Sequence, residues 1–211
     1  MRAALGILLA VTTGLTVAAP AQAATVTLTS GHVDVLDVDY NAGALALTVN
    51  DGTGAAEVER NPADVVLQVP AAAKVTVPSG SVWSFLGTAG STAWVLPQNN
   101  TAGLLWAGWN TSEVPSGVLQ GNALTFRLTS VAGPGAVSVY TVSAGTPTKL
   151  YDSSDGLPDT RTVARNVHAH ANWGFTQPGT YTVTFEVTAR LASTGATITT
   201  GVQAYTFTVL P

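Results

Sequence analysis

Two short strings hold every imidazole of this 211-residue chain, GHVD at residues 31–34 and HAH at 168–170. In an extended strand, residues two apart share a face, so His32 aligns with Asp34, and His168 with His170 and Asn172. H-x-D and H-x-H therefore each present two ligating groups in one direction. If the two strands are neighbours, three imidazole nitrogens and a carboxylate converge on one ion. Such a set suits a divalent transition metal. Three histidines with aspartate or water favour Zn²⁺, imidazole also suits Cu²⁺, Ni²⁺ and Fe²⁺, and a carboxylate moves the preference toward Mn²⁺. The expected ligands are His32, His168, His170 and Asp34, with Asp34 either the fourth ligand or a partner that orients a ring. Asn172 is placed behind the ligands as a hydrogen-bond partner, and Trp173 as a wall of the site.

The elements that carry these residues read as strands. Threonine, valine, alanine and glycine dominate, charged residues make up only 9%, and short alternating runs end at Gly, Pro, Asn or Asp. Strands are expected at 24–29, 31–40, 44–49, 64–69, 73–77, 92–96, 123–131, 135–142, 179–190 and 196–209. Tyr181, Val183, Phe185 and Val187 recur at every second position before the turn residues Ser193-Thr194-Gly195, which predicts a long hairpin with the last strand. Outside the N-terminus no helical apolar period is sustained. The fold class is all-β, an antiparallel two-sheet β-sandwich of immunoglobulin-like or jelly-roll-like type, with a helical turn near 61–64 or 111–114. Long loops are expected at 50–63, 97–122 and 143–166. Within 31–40, alternation places Asp34 on one face and Asp37 and Asp39 on the other, as a solvated edge.

Met1-Arg2, an apolar run and the small-x-small string Ala21-Gln22-Ala23 read as a secretory signal peptide over residues 1–23, leaving a single domain over 24–211. The expected location is secreted or extracellular, with no membrane insertion once the signal is removed. The formal net charge of −4 becomes −5 without Arg2, and only two lysines are present. No basic stripe exists to meet a phosphate backbone, so nucleic acid is excluded as a partner. The absence of cysteine rules out disulfides, thiolate metal sites and a cysteine nucleophile.

Catalytic patterns are sparse. There is no G-x-S-x-G elbow, only four glutamates are available for paired-acid chemistry, and DSSDGLPD (152–159) lacks the spacing of a calcium loop and reads as a turn. A binding protein is expected rather than an enzyme, although an open three-histidine site could be hydrolytic. A second reading uses Trp83, Trp94, Trp106, Trp109 and Trp173 as a glycan-stacking or adhesion surface. A coplanar exposed row of Trp106 and Trp109 would mark it.

The strings GHVDVLDVDY, FLGTAGSTAWVLPQ, LLWAGWNTSEVPSG, GPGAVSVY and HAHANWGFTQPGTYTVTFEV resemble the actinobacterial surface-anchored protein domain, the choice-of-anchor M type, over nearly all of 26–209. The pattern HxHxNWxFxxPGxYxVxF carries most of the likeness. The resemblance implies a secreted or cell-wall protein whose relatives are often encoded beside ABC transporters of the zinc and manganese type, so that transporter components or cell-wall proteins become expected partners. It lends no ligand list, and His32, Asp34, His168, His170, Asn172 and Trp173 carry over as candidates only. Members commonly continue into a sorting signal or membrane anchor, whereas this sequence ends at Val209-Leu210-Pro211.

Overall fold

The computed structural model describes residues 25–211, so the expected signal peptide lies outside the described residues. In chain order the strands are β1 (Val26–Leu28), β2 (Gly31–Asn41), β3 (Ala44–Gly52), β4 (Val58–Arg60), β5 (Val65–Val69), β6 (Lys74–Thr76), β7 (Thr92–Leu96) and β8 (Leu105–Asn110). They continue with β9 (Ala123–Ala132), β10 (Val137–Ser143), β11 (Thr146–Asp152), β12 (Asp159–Ala164), β13 (His168–His170), β14 (Asn172–Phe175), β15 (Gly179–Arg190) and β16 (Thr197–Val209). Between them lie short 3-10 turns, including Pro62–Asp64, capped by the Asn61 side chain, and Ser81–Leu86. Residues 111–114 form a turn without a helix. Among the described residues no helix is long and apolar enough to cross a membrane.

The fold is all-β and sandwich-like, but its strands divide among three sheets. One runs β1-β5-β16-β15-β9-β12, a second β11-β10-β14-β7-β6, and the third β13-β8-β2-β3-β4. Most neighbours are antiparallel; β1 with β5, β16 with β5 and β2 with β8 are parallel. The expected hairpin forms, with Gly179 opposite Val209 and Arg190 opposite Thr197. Its alternating Tyr181, Val183, Phe185 and Val187 are fully buried, and each contributes about 1.5–3 kcal/mol by leaving water. They join one apolar core that draws on all three sheets, while a smaller cluster under Ser81–Leu86 covers the outer face of β7 and β10.

The three expected loops carry strands instead. Segment 50–63 contains β4, 97–122 contains β8, and 143–166 contains β11 and β12. β4, β11 and β12 are sheet edges, which need little apolar alternation because one side meets solvent. β8 is interior, and its LWAGWN string fails to alternate because glycine and tryptophan occupy the face that polar residues usually take.

At Ala171 the chain leaves one sheet for another. β13 pairs with β8 in the third sheet, and two residues later β14 pairs with β7 and β10 in the second. This switch separates the histidines from the residues that follow them.

Candidate metal centre

The histidine strands are joined by β8. His32 on β2 lies opposite Trp106 and Asp34 opposite Gly108, while His170 on β13 lies opposite Gly108 and His168 opposite Asn110. Cross-strand partners share a face. β13 and β2, on either side of β8, thus aim His168, His170, His32 and Asp34 at one spot, although 136 residues separate His32 from His168.

One ligand atom from each of the four side chains lies within 4.8 Å of all the others. His32 Nε2 is 3.1 Å from His168 Nε2 and 3.5 Å from Asp34 Oδ2, and His168 Nε2 is 3.0 Å from Asp34 Oδ1. A tetrahedral ion bound at about 2.0–2.1 Å separates its ligand atoms by about 3.3 Å. The three spacings among His32, His168 and the Asp34 carboxylate lie close to that edge.

His170 completes the group. Its ring stacks on Trp106 at 3.7 Å and 14° between planes, and neither of its nitrogens has a hydrogen-bond partner. Trp106 is itself held by donating its Nε1–H to the Gln98 carbonyl at 2.8 Å. Burial, followed by the neighbouring His32 and His168 imidazoles, pushes the pKa of His170 down to about 4, so at neutral pH it stands as an uncharged donor. Asp34 is buried beneath the rings. Burial raises its pKa, and His168 and His32 oppose that rise.

Two glycines make room for the rings. A Cβ on Gly108 would stand 2.6 Å from His170 Nδ1 and 2.5 Å from the Ala169 carbonyl, and one on Gly52 would stand 2.6 Å from His32 Nδ1. Glycine inside a strand often marks such a close approach. Trp106, Gly108 and Gly52 were not among the expected site residues, and the glycines of LLWAGWN and VNDG were the available signal.

Several expectations need correction. Asn172 does not support a histidine. It accepts from the Gln98 backbone N–H at 2.9 Å and donates to Gln98 Oε1 and the Tyr140 carbonyl, because the change of sheet at Ala171 turns it away. Its only link to the site runs through Gln98 to Trp106. Trp173 is fully buried and stacks on Phe207 in the core, so it walls nothing here. Trp109 points from the opposite face of β8 into the core, with Arg161 4.9 Å from its ring. An exposed row of Trp106 and Trp109 is therefore absent. DSSDGLPD is a turn whose Asp152 and Asp155 are both bound by Lys149.

Asp37 and Asp39 also lie elsewhere than expected. β2 is interior to its sheet, and Asp37 is only 1% exposed. On β3 the partners of Asp34, Asp37 and Asp39 are Asn50, Thr48 and Ala46, with a bulge between Asp34 and Asp37. The bulge takes up the odd residue between them, so all three aspartates share the face that carries the histidines. Burial and the nearby carboxylates Asp39, Asp34 and Glu113 push the pKa of Asp37 up to about 7, and burial with Glu113 and Glu59 does the same for Asp39.

Fold and site together define an all-β protein with a surface cluster of three histidines and an aspartate able to hold a metal ion. No family model, curated protein or solved structure matches the chain.

Proposed function

We propose that this is a secreted or cell-surface binding protein that coordinates Zn²⁺ through His32, His168, His170 and Asp34. The observation that carries this reading is the convergence of four ligand atoms from two strands, β2 and β13, on one spot. Four protein ligands fill a tetrahedral shell and leave no position for activated water, which favours binding over hydrolysis. Exposure favours capture and release over a structural role, since the His168 side chain is 47% exposed beside the buried Asp34. Delivery to a metal transporter of the cell envelope, and kinship with the actinobacterial surface-anchored domains, are parts of the same proposal. They rest on the sequence resemblance and on the metal-like chemistry of the site.

Metal analysis and calorimetric titration test it. Wild-type protein stripped with chelator should take up one Zn²⁺ per chain, in preference to Mn²⁺. His168→Ala should bind roughly tenfold or more weakly, because a three-ligand remnant persists. Equal, negligible uptake by both proteins would sink the reading.

Acid should release the ion. Coordination needs neutral imidazole, so affinity is expected to fall below about pH 6 as protons compete. His170 is already neutral above about pH 4, so its own protonation should cost affinity only near that pH. Zinc titrations at successive pH values, followed by the His Cε1 proton resonances, check this.

A further inference from the structure

The histidine cluster uses Asp34 and leaves the other aspartates of β2 unassigned. Both carboxylate oxygens of Asp37 are buried without a hydrogen-bond partner, and so is the hydroxyl of Thr48, its direct neighbour across the β2–β3 pair. A buried polar group without a partner is costly, and a carboxylate more so. Above Asp37 the side chains of Glu59, from the edge strand β4, and Glu113, from the turn after β8, come together. One oxygen from each of these three carboxylates lies within 4.8 Å of the other two. Asp39 adds a fourth carboxyl group beside Glu113 and Glu59.

No cation among the described residues answers this charge. Among the described residues no salt bridge reaches Asp37, Asp39, Glu59 or Glu113, and the adjacent Arg60 is committed to Asp51 at 2.8 Å. The buried, unpaired oxygens of Asp37 are directed toward the two exposed glutamates, which is the arrangement of a site whose partner comes from solution.

We propose that Asp37, Glu59 and Glu113 form a second cation site, selective for Ca²⁺, on the same sheet face as the histidine cluster. Its ligands are all oxygen, which selects a hard cation over the transition metal suited to imidazole. Ca²⁺ takes six to eight oxygens in flexible geometry, whereas Mg²⁺ demands a near-ideal octahedron and keeps several of its waters. Three converging carboxylates with further oxygen donors beside them suit the more accommodating ion. Asp39, the Thr48 hydroxyl and water are at hand to complete six to eight ligands.

Thermal unfolding of chelator-stripped protein in added CaCl₂, at constant ionic strength, tests the site. Wild type should gain several degrees, and His168→Ala should gain as much, so the result stands apart from the zinc reading. Glu113→Gln, at an exposed position that leaves packing untouched, should weaken Ca²⁺ binding roughly tenfold. Asp37→Asn should abolish the shift while Zn²⁺ uptake persists. A wild-type midpoint unmoved by millimolar Ca²⁺, or an equal shift in Asp37→Asn, overturns the site. An equal shift with Mg²⁺ overturns its assignment to calcium.

Discussion

Gly108→Ala is expected to lower Zn²⁺ affinity roughly 10–100-fold and to cost about 1–3 kcal/mol of stability, although position 108 offers no ligand. Gly108 lies between β13 and β2, facing His170 on one side and Asp34 on the other. The added methyl would fall 2.5 Å from the Ala169 carbonyl and 2.6 Å from His170 Nδ1. The first contact is with backbone and cannot be relieved by a rotamer change. β13 is only three residues long and pairs only with β8, so the strand would give way and carry both of its histidines off the site. Chemical denaturation gives the stability term and calorimetry the affinity. Gly54→Ala is the control, since its Cβ would meet nothing closer than 3.7 Å, and it should change neither quantity. Wild-type affinity in Gly108→Ala would show that β13 does not need this close approach to deliver its ligands.

The second large effect concerns stability against pH in the metal-free protein. Asp37 has a pKa of about 7 when folded and 3.8 as the reference value. Between those values the folded chain holds a proton that the unfolded chain has released. Stability from this group is thus fully present below about pH 4 and is lost as pH rises through 7. Asp39, also pushed up to about 7, acts in the same direction. His170 acts oppositely: its folded pKa of about 4 lies below the reference 6.5, so its contribution is lost as pH falls through that window. Two carboxyls outweigh one imidazole, and the stripped protein should be more stable near pH 5 than near pH 8. Asp37→Asn isolates one term. It should match wild type near pH 4 and exceed it by about 2–4 kcal/mol at pH 8, in chelator, by urea unfolding. A difference that stays flat with pH would mean that Asp37 titrates as it does in the unfolded chain.

The sequence disclosed the candidate ligands better than their surroundings. His32, Asp34, His168 and His170 were legible because strand alternation is a local rule and imidazole is scarce in this chain. Their meeting was not, because it depends on β8, whose glycine and tryptophans hide its strand character. Asn172 and Trp173 were misplaced because the alternation of HAHANW was carried past Ala171, where the chain changes sheets, and nothing local announces a change of pairing partner. The error over Asp37 and Asp39 has a visible source: in VDVLDVD, Val35 and Leu36 are two apolar residues in succession, the local sign of a bulge. The core was legible where it alternates, as in Tyr181–Val187, and not at edge strands such as Thr146–Asp152, where exposure removes the apolar signal.

The bulge at Val35-Leu36 fixes the electrostatic character of a whole face. Paired regularly, without the bulge, β2 would split its aspartates between the core and the surface. With it, Asp34, Asp37 and Asp39 form a row roughly 13 Å long, flanked by Glu57, Glu59 and Glu113, so half of the chain's twelve acidic residues gather on one side of one sheet. Convergent negative charge of this kind raises the local concentration of cations before any ligand bond forms. One bulge thereby turns a strand into an antenna for the ions that its neighbouring histidines would hold.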